Sequence, residues 1–229
     1  MTTTSENACA LPAREQPSSL AMVRTLGGIA LISGCLLSLV YQITYAPIQR
    51  NTEARIQAAV LDLLPGATTQ RAFEIPVPGE GGAGMSSVIY AGYDAAGNLV
   101  GVAIEAGDGG GYGGEIRIMY GYLPDKSQIS GMTVLLMRET PGLGDRIRTD
   151  PGFNARITGL EVSLNAAKDA LTHPITFIKS GEETGPGEID GISGATISSQ
   201  AVVRAIRRST DILLPLVHKH LDALKKGTL

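Results

Sequence analysis

The 229-residue sequence is poor in the side chains that usually carry metal or redox chemistry. It has no tryptophan, three histidines and two cysteines. Cys9 lies in a polar N-terminal stretch and Cys35 in an apolar run, so no cysteine lies between Tyr45 and Leu229. A protein-ligated iron–sulfur cluster needs four cysteines, or two cysteines and two histidines, and is excluded from that region. A disulfide framework there is excluded as well. If this region transfers electrons, an organic cofactor must carry them.

The sequence also lacks an excess of positive charge. Lysine and arginine total 19 against 22 aspartates and glutamates, which gives a formal net charge of −3 and argues against a nucleic-acid-binding protein. No metal site is predicted, since three histidines leave little material for one. Glycine, in contrast, is abundant at 29 residues and much of it is clustered. Such clusters predict tight turns and close approach of the backbone to a neighbour or ligand.

A charge-free segment near the N-terminus predicts a membrane anchor. Residues 25–44 read TLGGIALISGCLLSLVYQIT, and as a helix they would span about 30 Å, the thickness of a hydrocarbon core. A cleaved signal peptide would have a shorter apolar core and a small-residue cleavage site, which the following YAPIQRNTEARIQ lacks. Arg14 and Arg24 precede the segment more closely than Arg50 and Arg55 follow it, which favours an inside N-terminus. The predicted organisation is a cytoplasmic tail (1–24), a transmembrane helix (25–44) and a periplasmic domain (45–229).

The pattern after the anchor predicts an α+β domain. Apolar residues at helical spacing in PIQRNTEARIQAAVLDLL predict a helix that Pro65-Gly66 ends. Alternating apolar runs separated by turn residues predict two β-hairpins, and Pro215 is expected to kink or divide a last helix. The predicted elements are a helix at 47–64, an exposed glycine-rich loop at 80–84, hairpins pairing 86–93 with 99–106 and 116–123 with 129–137, and a helix at 199–224. Hairpins flanked by helices, without a regular β-α-β alternation, are typical of the α+β class.

The first of three notable motifs is the glycine cluster GDGGGYGGE. Gly109, Gly111 and Gly114 formally satisfy G-x-G-x-x-G, but the nucleotide fingerprint needs a helix after it. A strand, IRIMYGYL, follows instead, so we reject a dinucleotide site. Two interpretations remain open: a turn whose backbone passes close to a flat ligand, or a glycine turn without function.

The second motif is ETPGLG, residues 139–144, at the end of the second hairpin. These residues would form a Pro-Gly turn whether or not a ligand were present. On the residues alone, the plain turn is the favoured interpretation.

The third motif is DGISGAT, residues 190–196, which stands just before a helical pattern. A helix start carries free N–H groups and the positive end of the helix dipole, so it can bind a phosphate beside the Thr196 hydroxyl. Thr196 could equally be an ordinary N-cap. A reciprocal capping box is absent because residue 199 is serine.

Together the motifs resemble those of a known family. DGISGAT is similar to the flavinylation motif Asp-x-x-Ser/Thr-Gly-Ala-Thr/Ser, whose last hydroxyl receives FMN from FAD through a flavin transferase. With GYGGEIR and ETPGLGD in this order behind an anchor, the chain resembles the G-type subunit of the Rnf ion-translocating electron-transport complex, from about Leu26 to the C-terminus. One departure is Met137, where much of the family is expected to have histidine.

The resemblance implies a function and a set of site residues. The chain would be an inner-membrane electron-relay subunit, not a complete enzyme, in a complex that exchanges electrons between NADH and ferredoxin and moves Na⁺ or H⁺. Thr196 would carry one covalent FMN, with Asp190, Ser193, Gly194 and Ala195 as the recognition loop. The residues implied for the ring pocket are Glu139, Thr140, Gly142 and Leu143, with Gly113 nearby. The implied partners are other Rnf subunits, including a membrane subunit with its own covalent FMN, and the flavin transferase.

Two alternatives of other kinds stay open. The chain could be a C-type subunit of a sodium-pumping NADH:quinone reductase, which shares the flavinylation motif, or an anchored binding module without a cofactor. A Ser- or Thr-dependent hydrolase is disfavoured, because His218 and His220 lie near the tail of the last helix and no histidine has a suitable neighbourhood.

Overall fold

The computed structural model describes residues 18–77, 85–182 and 185–228. The chain separates into two compact units, residues 1–51 and 52–229. Residues 1–17, which include Cys9 and Arg14, and the predicted loop at 80–84 lie outside the described residues. In chain order the elements are α1 (Ser19–Leu63), β1 (Thr69–Val77), β2 (Met85–Tyr93), β3 (Leu99–Gly111), β4 (Gly114–Leu123), β5 (Gln128–Leu136), α2 (Arg146–Thr149), α3 (Pro151–Ile157), β6 (Thr176–Ile178), β7 (Glu188–Asp190), α4 (Thr196–Lys219) and α5 (Leu221–Lys226).

The described part of the first unit is helical and apolar. It is the beginning of α1, the one described helix that is long and apolar enough to cross a membrane. Its leucines are exposed, as lipid-facing side chains would be. The sequence predicted two helices, 25–44 and 47–64, whereas the structure joins them in one helix that runs through Pro47. A proline removes one backbone hydrogen bond and does not always end a helix. The predicted stop at Pro65-Gly66 is confirmed, since α1 ends at Leu63 and Gly66 has φ +98°.

The second unit contains a five-stranded antiparallel sheet in the order β1-β2-β3-β4-β5. Both predicted hairpins are confirmed: Tyr90 lies opposite Ala103, and Tyr120 opposite Met132. Strand β1, which the sequence did not predict, pairs along its length with β2. Strands β6 and β7 form a separate parallel pair that leads the chain to α4.

The two faces of the sheet are covered by different helices. Because side chains alternate along a strand, Val102 and Ile104 face the main core, which contains the apolar side of α4. Ala103 faces the opposite side and packs with Val60 and Leu64 near the end of α1. The predicted apolar face of this helix is therefore confirmed.

Helix α4 begins three residues earlier than predicted, at Thr196 instead of Ser199. It also continues through Pro215, so of the two outcomes expected at that residue the division is wrong, while a kink stays a prediction. Helix α4 ends at Lys219, and α5 follows after His220. The early start matters for function, since it places Thr196 in the first turn of the helix.

Candidate functional site

The loop between β7 and α4 is fixed by contacts within its own neighbourhood. Gly191 packs on Phe177, and a Cβ at this glycine would lie 2.6 Å from the aromatic ring. Gly194 has φ +84°, in the left-handed region that favours glycine. The Ser199 hydroxyl accepts the Ile192 N–H at 3.3 Å and donates to the Ala195 carbonyl at 2.9 Å. The start of α4 therefore has a defined conformation.

Thr196 is exposed at this helix start. The N-cap position belongs to Ala195, so the interpretation of Thr196 as an ordinary N-cap is wrong. Within the described residues its hydroxyl has no hydrogen-bond partner. The N–H groups of residues 196–198 precede the first bond of the helix, which Ser199 N–H donates to the Ala195 carbonyl at 2.9 Å. Free N–H groups and the helix dipole make this end suitable for a phosphate.

Residues 139–144 form the predicted Pro-Gly turn. The Leu143 N–H donates to the Thr140 carbonyl at 3.2 Å, and Gly142 has φ +80°. The turn also brings Glu139, Thr140 and Leu143 beside the start of α4. Turn formation and a role in the site are therefore both compatible with this motif. Met137 instead packs against the main core.

The glycine cluster forms the tip of the β3–β4 hairpin. Gly111 pairs with Gly114, leaving Tyr112 and Gly113 as the two loop residues; we call Gly111–Gly114 the hairpin tip. A strand follows the glycines, as predicted, where a dinucleotide site would need a helix. Gly113 packs so closely on the Arg138–Glu139 backbone that a Cβ would overlap the Arg138 carbonyl oxygen. The backbone of this cluster therefore makes a close tertiary contact within the protein, and the two interpretations of the cluster stay predictions.

Glu139 is held in a space that glycines leave open. The residue is 8% exposed, and Oε1 accepts the Gly113 N–H at 3.3 Å. A Cβ at Gly111 would lie 2.6 Å from Oε1, and one at Gly144 would overlap Oε2. Oε2 itself is buried and lacks a hydrogen-bond partner among the described residues. A buried polar atom without a partner is unfavourable, so this oxygen is suited to receive a donor from a ligand.

The hairpin tip, the 139–144 turn and the start of α4 enclose a cavity of about 440 Å³, in the range usual for small-molecule sites. Apolar side chains that are largely exposed lie around it, with Tyr112 reaching 72% exposure. The cavity offers apolar walls, a buried acceptor and a helix N-terminus, which fits the ring and phosphate of the implied FMN. It is lined by Tyr112, Glu139, Thr140, Leu143, Gly144, Gly194, Ala195, Thr196, Ile197 and Ser198.

The structure divides the predicted site residues between two places. Six of the ten line the 440 Å³ cavity: Glu139, Thr140, Leu143, Gly194, Ala195 and Thr196. Gly113 supports one wall through its contact with the Arg138–Glu139 backbone, and Gly142 shapes the 139–144 turn through its positive φ.

Asp190 and Ser193 line a neighbouring cavity of about 240 Å³. There Asp190 pairs with Arg156, with 2.5 Å between Oδ1 and Nε, and Arg146 donates to the Ser193 carbonyl at 2.9 Å. These contacts fix the loop that precedes Thr196.

Four residues of the cavity were missed by sequence reasoning. They are Tyr112, Gly144, Ile197 and Ser198. Each lies within one of the three motifs or within two residues of it, so closeness to a motif was the sequence signal that could have identified them. Tyr112 had the strongest one, as the single aromatic residue within the glycine cluster.

Comparisons with known proteins find a matching family model and several relatives. Residues 111–211, which contain all ten predicted site residues, match the family described as FMN-binding domain. The chain is 35% identical to the G-type subunit of the ion-translocating oxidoreductase complex of Methanosarcina acetivorans, covering 83% of this chain and 92% of that protein. It is 33% identical to the protein of the same description from Cereibacter sphaeroides, covering 86% and 85%.

Two further comparisons concern the complex and the fold. The chain is 29% identical to the G-type subunit of the Na(+)-translocating ferredoxin:NAD(+) oxidoreductase complex of Acetobacterium woodii, covering 80% of this chain and 86% of that protein. The crystal structure of Shewanella oneidensis NqrC superposes with a TM-score of 0.55 at 18% identity, covering 77% of this chain and 99% of that one. The second comparison supports a shared fold.

Proposed function

The chain belongs to the family of G-type subunits of ion-translocating oxidoreductase complexes and contains an FMN-binding domain, and we propose that it carries FMN as the electron-relay subunit of such a complex. The complex would exchange electrons between NADH and ferredoxin and move Na⁺ or H⁺; the name of the Acetobacterium woodii relative describes an oxidoreductase of ferredoxin and NAD⁺ that translocates Na⁺. The apolar part of α1 anchors the chain in the membrane, and we place the domain after it in the periplasm. The partners would be the other subunits, among them a membrane subunit with its own FMN.

The observation that carries the proposal is the exposed Thr196 hydroxyl, which has no hydrogen-bond partner among the described residues, at a helix N-terminus that opens into the cavity. We propose that Thr196 is joined to FMN by a phosphodiester. A flavin transferase would bring FAD, the Thr196 Oγ would form the new bond to the FMN phosphorus, and the bond to AMP would break. AMP leaves and the hydroxyl proton passes to solvent, so the chain gains the mass of FMN less one water.

The remaining cavity residues would bind and shield the flavin. The N–H groups of residues 196–198 would hold its phosphate, and Tyr112, Leu143 and Ile197 would keep water from its ring. Glu139 Oε2 would accept a hydrogen bond from it. When bound, FMN supplies one-electron redox chemistry, while the protein supplies position and electrostatics.

The two alternative functions meet different observations. A C-type subunit of a sodium-pumping NADH:quinone reductase would have this fold, but the similarity to NqrC is 18% in sequence, against 35% for a G-type subunit. A binding module without a cofactor would leave the FMN-binding domain match and the cavity unexplained.

The test is the intact mass of the denatured full-length chain after expression with a flavin transferase. The wild type should carry one FMN less water and Thr196→Ala none, while Thr196→Ser can retain it through the same hydroxyl. Thr140→Ala is the matched control, since Thr140 lines the same cavity and its loss should leave the flavin attached. Flavin that survives denaturation in Thr196→Ala would show that the attachment site is elsewhere.

A further inference from the structure

A buried carboxylate outside the cavity connects two of its walls. Asp108 lies in β3, four residues before Tyr112, and is 4% exposed. Its Oδ1 accepts from Arg204 Nη2 at 2.8 Å, and its Oδ2 accepts from Arg208 Nη2 at 2.6 Å and from Arg204 Nε at 3.3 Å. Both arginines lie in α4, the helix that begins with Thr196. We call Asp108, Arg204 and Arg208 the clamp.

The clamp also holds the backbone just before the hairpin tip. Asp108 Oδ1 accepts the Gly110 N–H at 2.8 Å, and Arg204 Nη2 donates to the Gly110 carbonyl at 3.2 Å. A Cβ at Gly110 would lie 2.5 Å from Arg204 Nη2, so glycine is needed for this approach. Both polar backbone groups of Gly110 are thus bonded to the clamp, two residues before Tyr112.

The electrostatics favour keeping Asp108 paired with Arg204 and Arg208. Burial alone would raise the pKa of Asp108, but hydrogen bonds from Arg204 and Gly110 and the two arginine charges outweigh burial and lower it. The same hydrogen bond raises the pKa of Arg204. Separating the groups would leave a buried carboxylate without its counter-charges, which is strongly unfavourable. Substitutions in the clamp should therefore change the position of the hairpin tip.

We propose that the clamp is a positioning device that holds the hairpin tip, with Tyr112, at the start of α4 and thereby shields the flavin ring from solvent. Arg204 acts through the tip: it is not among the residues that line the cavity, and its partners given above are Asp108 and Gly110. The inference rests on the proposed function, because shielding has meaning only if the cavity holds FMN.

The experiment measures how well acrylamide, an uncharged quencher, reaches the flavin in the full-length chain purified after expression with a flavin transferase. In Arg204→Gln we expect covalent flavin to be retained and the quenching constant to rise about two- to threefold, because the tip opens locally. Asp108→Asn should change it in the same direction. Arg207→Gln is the matched control: Arg207 lies on the same helix but makes an exposed pair with Asp211 at 3.8 Å, so its quenching constant should equal that of the wild type.

A double substitution separates positioning from a general structural role. Tyr112→Ala should raise the quenching constant by itself, and adding Arg204→Gln should raise it no further, since the clamp acts through this tip. Fully additive effects, or an unchanged constant in folded Arg204→Gln, would overturn the inference. If Arg204→Gln does not fold, Arg204→Lys takes its place. Lysine keeps the charge but lacks the planar fork through which Nε and Nη2 of Arg204 bond the two carboxylate oxygens of Asp108. An unchanged constant there is equally decisive. Flavin content is read separately by mass, so a wild type without flavin would refute the proposed function and the inference with it.

Discussion

The contact of Gly113 with the Arg138–Glu139 backbone gives a direct test of how the cavity is built. A Cβ at Gly113 would overlap the Arg138 carbonyl oxygen, lie 2.7 Å from the carbonyl carbon and lie 3.2 Å from the Glu139 nitrogen. All three are backbone atoms, so no side-chain rotation can relieve the overlap. In Gly113→Ala the hairpin tip and the 139–144 turn must move apart.

The size of the effect follows from two contributions. Overpacking typically lowers the free energy of unfolding by about 1–3 kcal/mol. We expect a value near the upper end here, because backbone atoms close the site. The 3.3 Å hydrogen bond from Gly113 N–H to Glu139 Oε1 would also be lost, which adds about 1 kcal/mol. For a domain of this size each kcal/mol lowers Tm by about 2–4 °C, so we expect a fall of about 6–16 °C.

The assay is thermal unfolding of the full-length chain in detergent, followed by circular dichroism. Gly109→Ala is the matched control, since it lies in the same hairpin and its Cβ would meet no atom within 4 Å. Its Tm should stay close to that of the wild type. Equal Tm values for the two alanine variants would refute the close contact and, with it, the assembled cavity.

Three other predictions use different properties of the chain. Glu139→Gln should keep full covalent FMN but raise the reduction potential of at least one flavin couple. The substitution removes a nearby negative charge, whose repulsion of an anionic flavin is about 1–3 kcal/mol. A redox titration with an unchanged potential would place Glu139 away from the ring. A reporter that is active only outside the cytoplasm, fused after Leu229, should be active, and a folded but inactive fusion would reverse the proposed orientation. Asp108 has a folded-state pKa below its ordinary 3.8, so its stabilisation is present above that value and lost as pH falls through the folded pKa. The difference in Tm between wild type and Asp108→Asn should accordingly shrink between pH 6 and pH 3, and a constant difference would contradict this.

The two hairpins could be predicted because their strands alternate clearly and end at turn residues. Strand β1 was harder to predict, since TQRAFEIPV contains Pro76 and lies at the edge of the sheet, where only one neighbour constrains the pattern. Strands β6 and β7 have three residues each, too few for a periodic signal. The start of α4 was misplaced because its N-cap is Ala195, which no capping preference predicts.

The candidate site shows the same division between local and tertiary information. Thr196 and the 139–144 turn could be located because short motifs mark them. The space around Glu139 could not, because it also depends on glycines of the hairpin tip, which lie 26 residues before Glu139 in the case of Gly113. The clamp could not be predicted from the sequence either, since the partners of Asp108 lie 96 and 100 residues away in α4.

A covalent tether would divide the work of the site between its two ends. With the phosphate fixed on Thr196, the flavin ring rebinds within the same molecule, and loss of one ring contact does not release the cofactor. The residues at the ring end, Glu139 and Tyr112, are then free to set potential and solvent access without also having to supply affinity. This is why we expect their substitutions to leave flavin content unchanged, whereas Thr196→Ala should abolish it. Such a tether would also explain how a cavity bordered by exposed apolar side chains could retain its cofactor in the proposed periplasmic location.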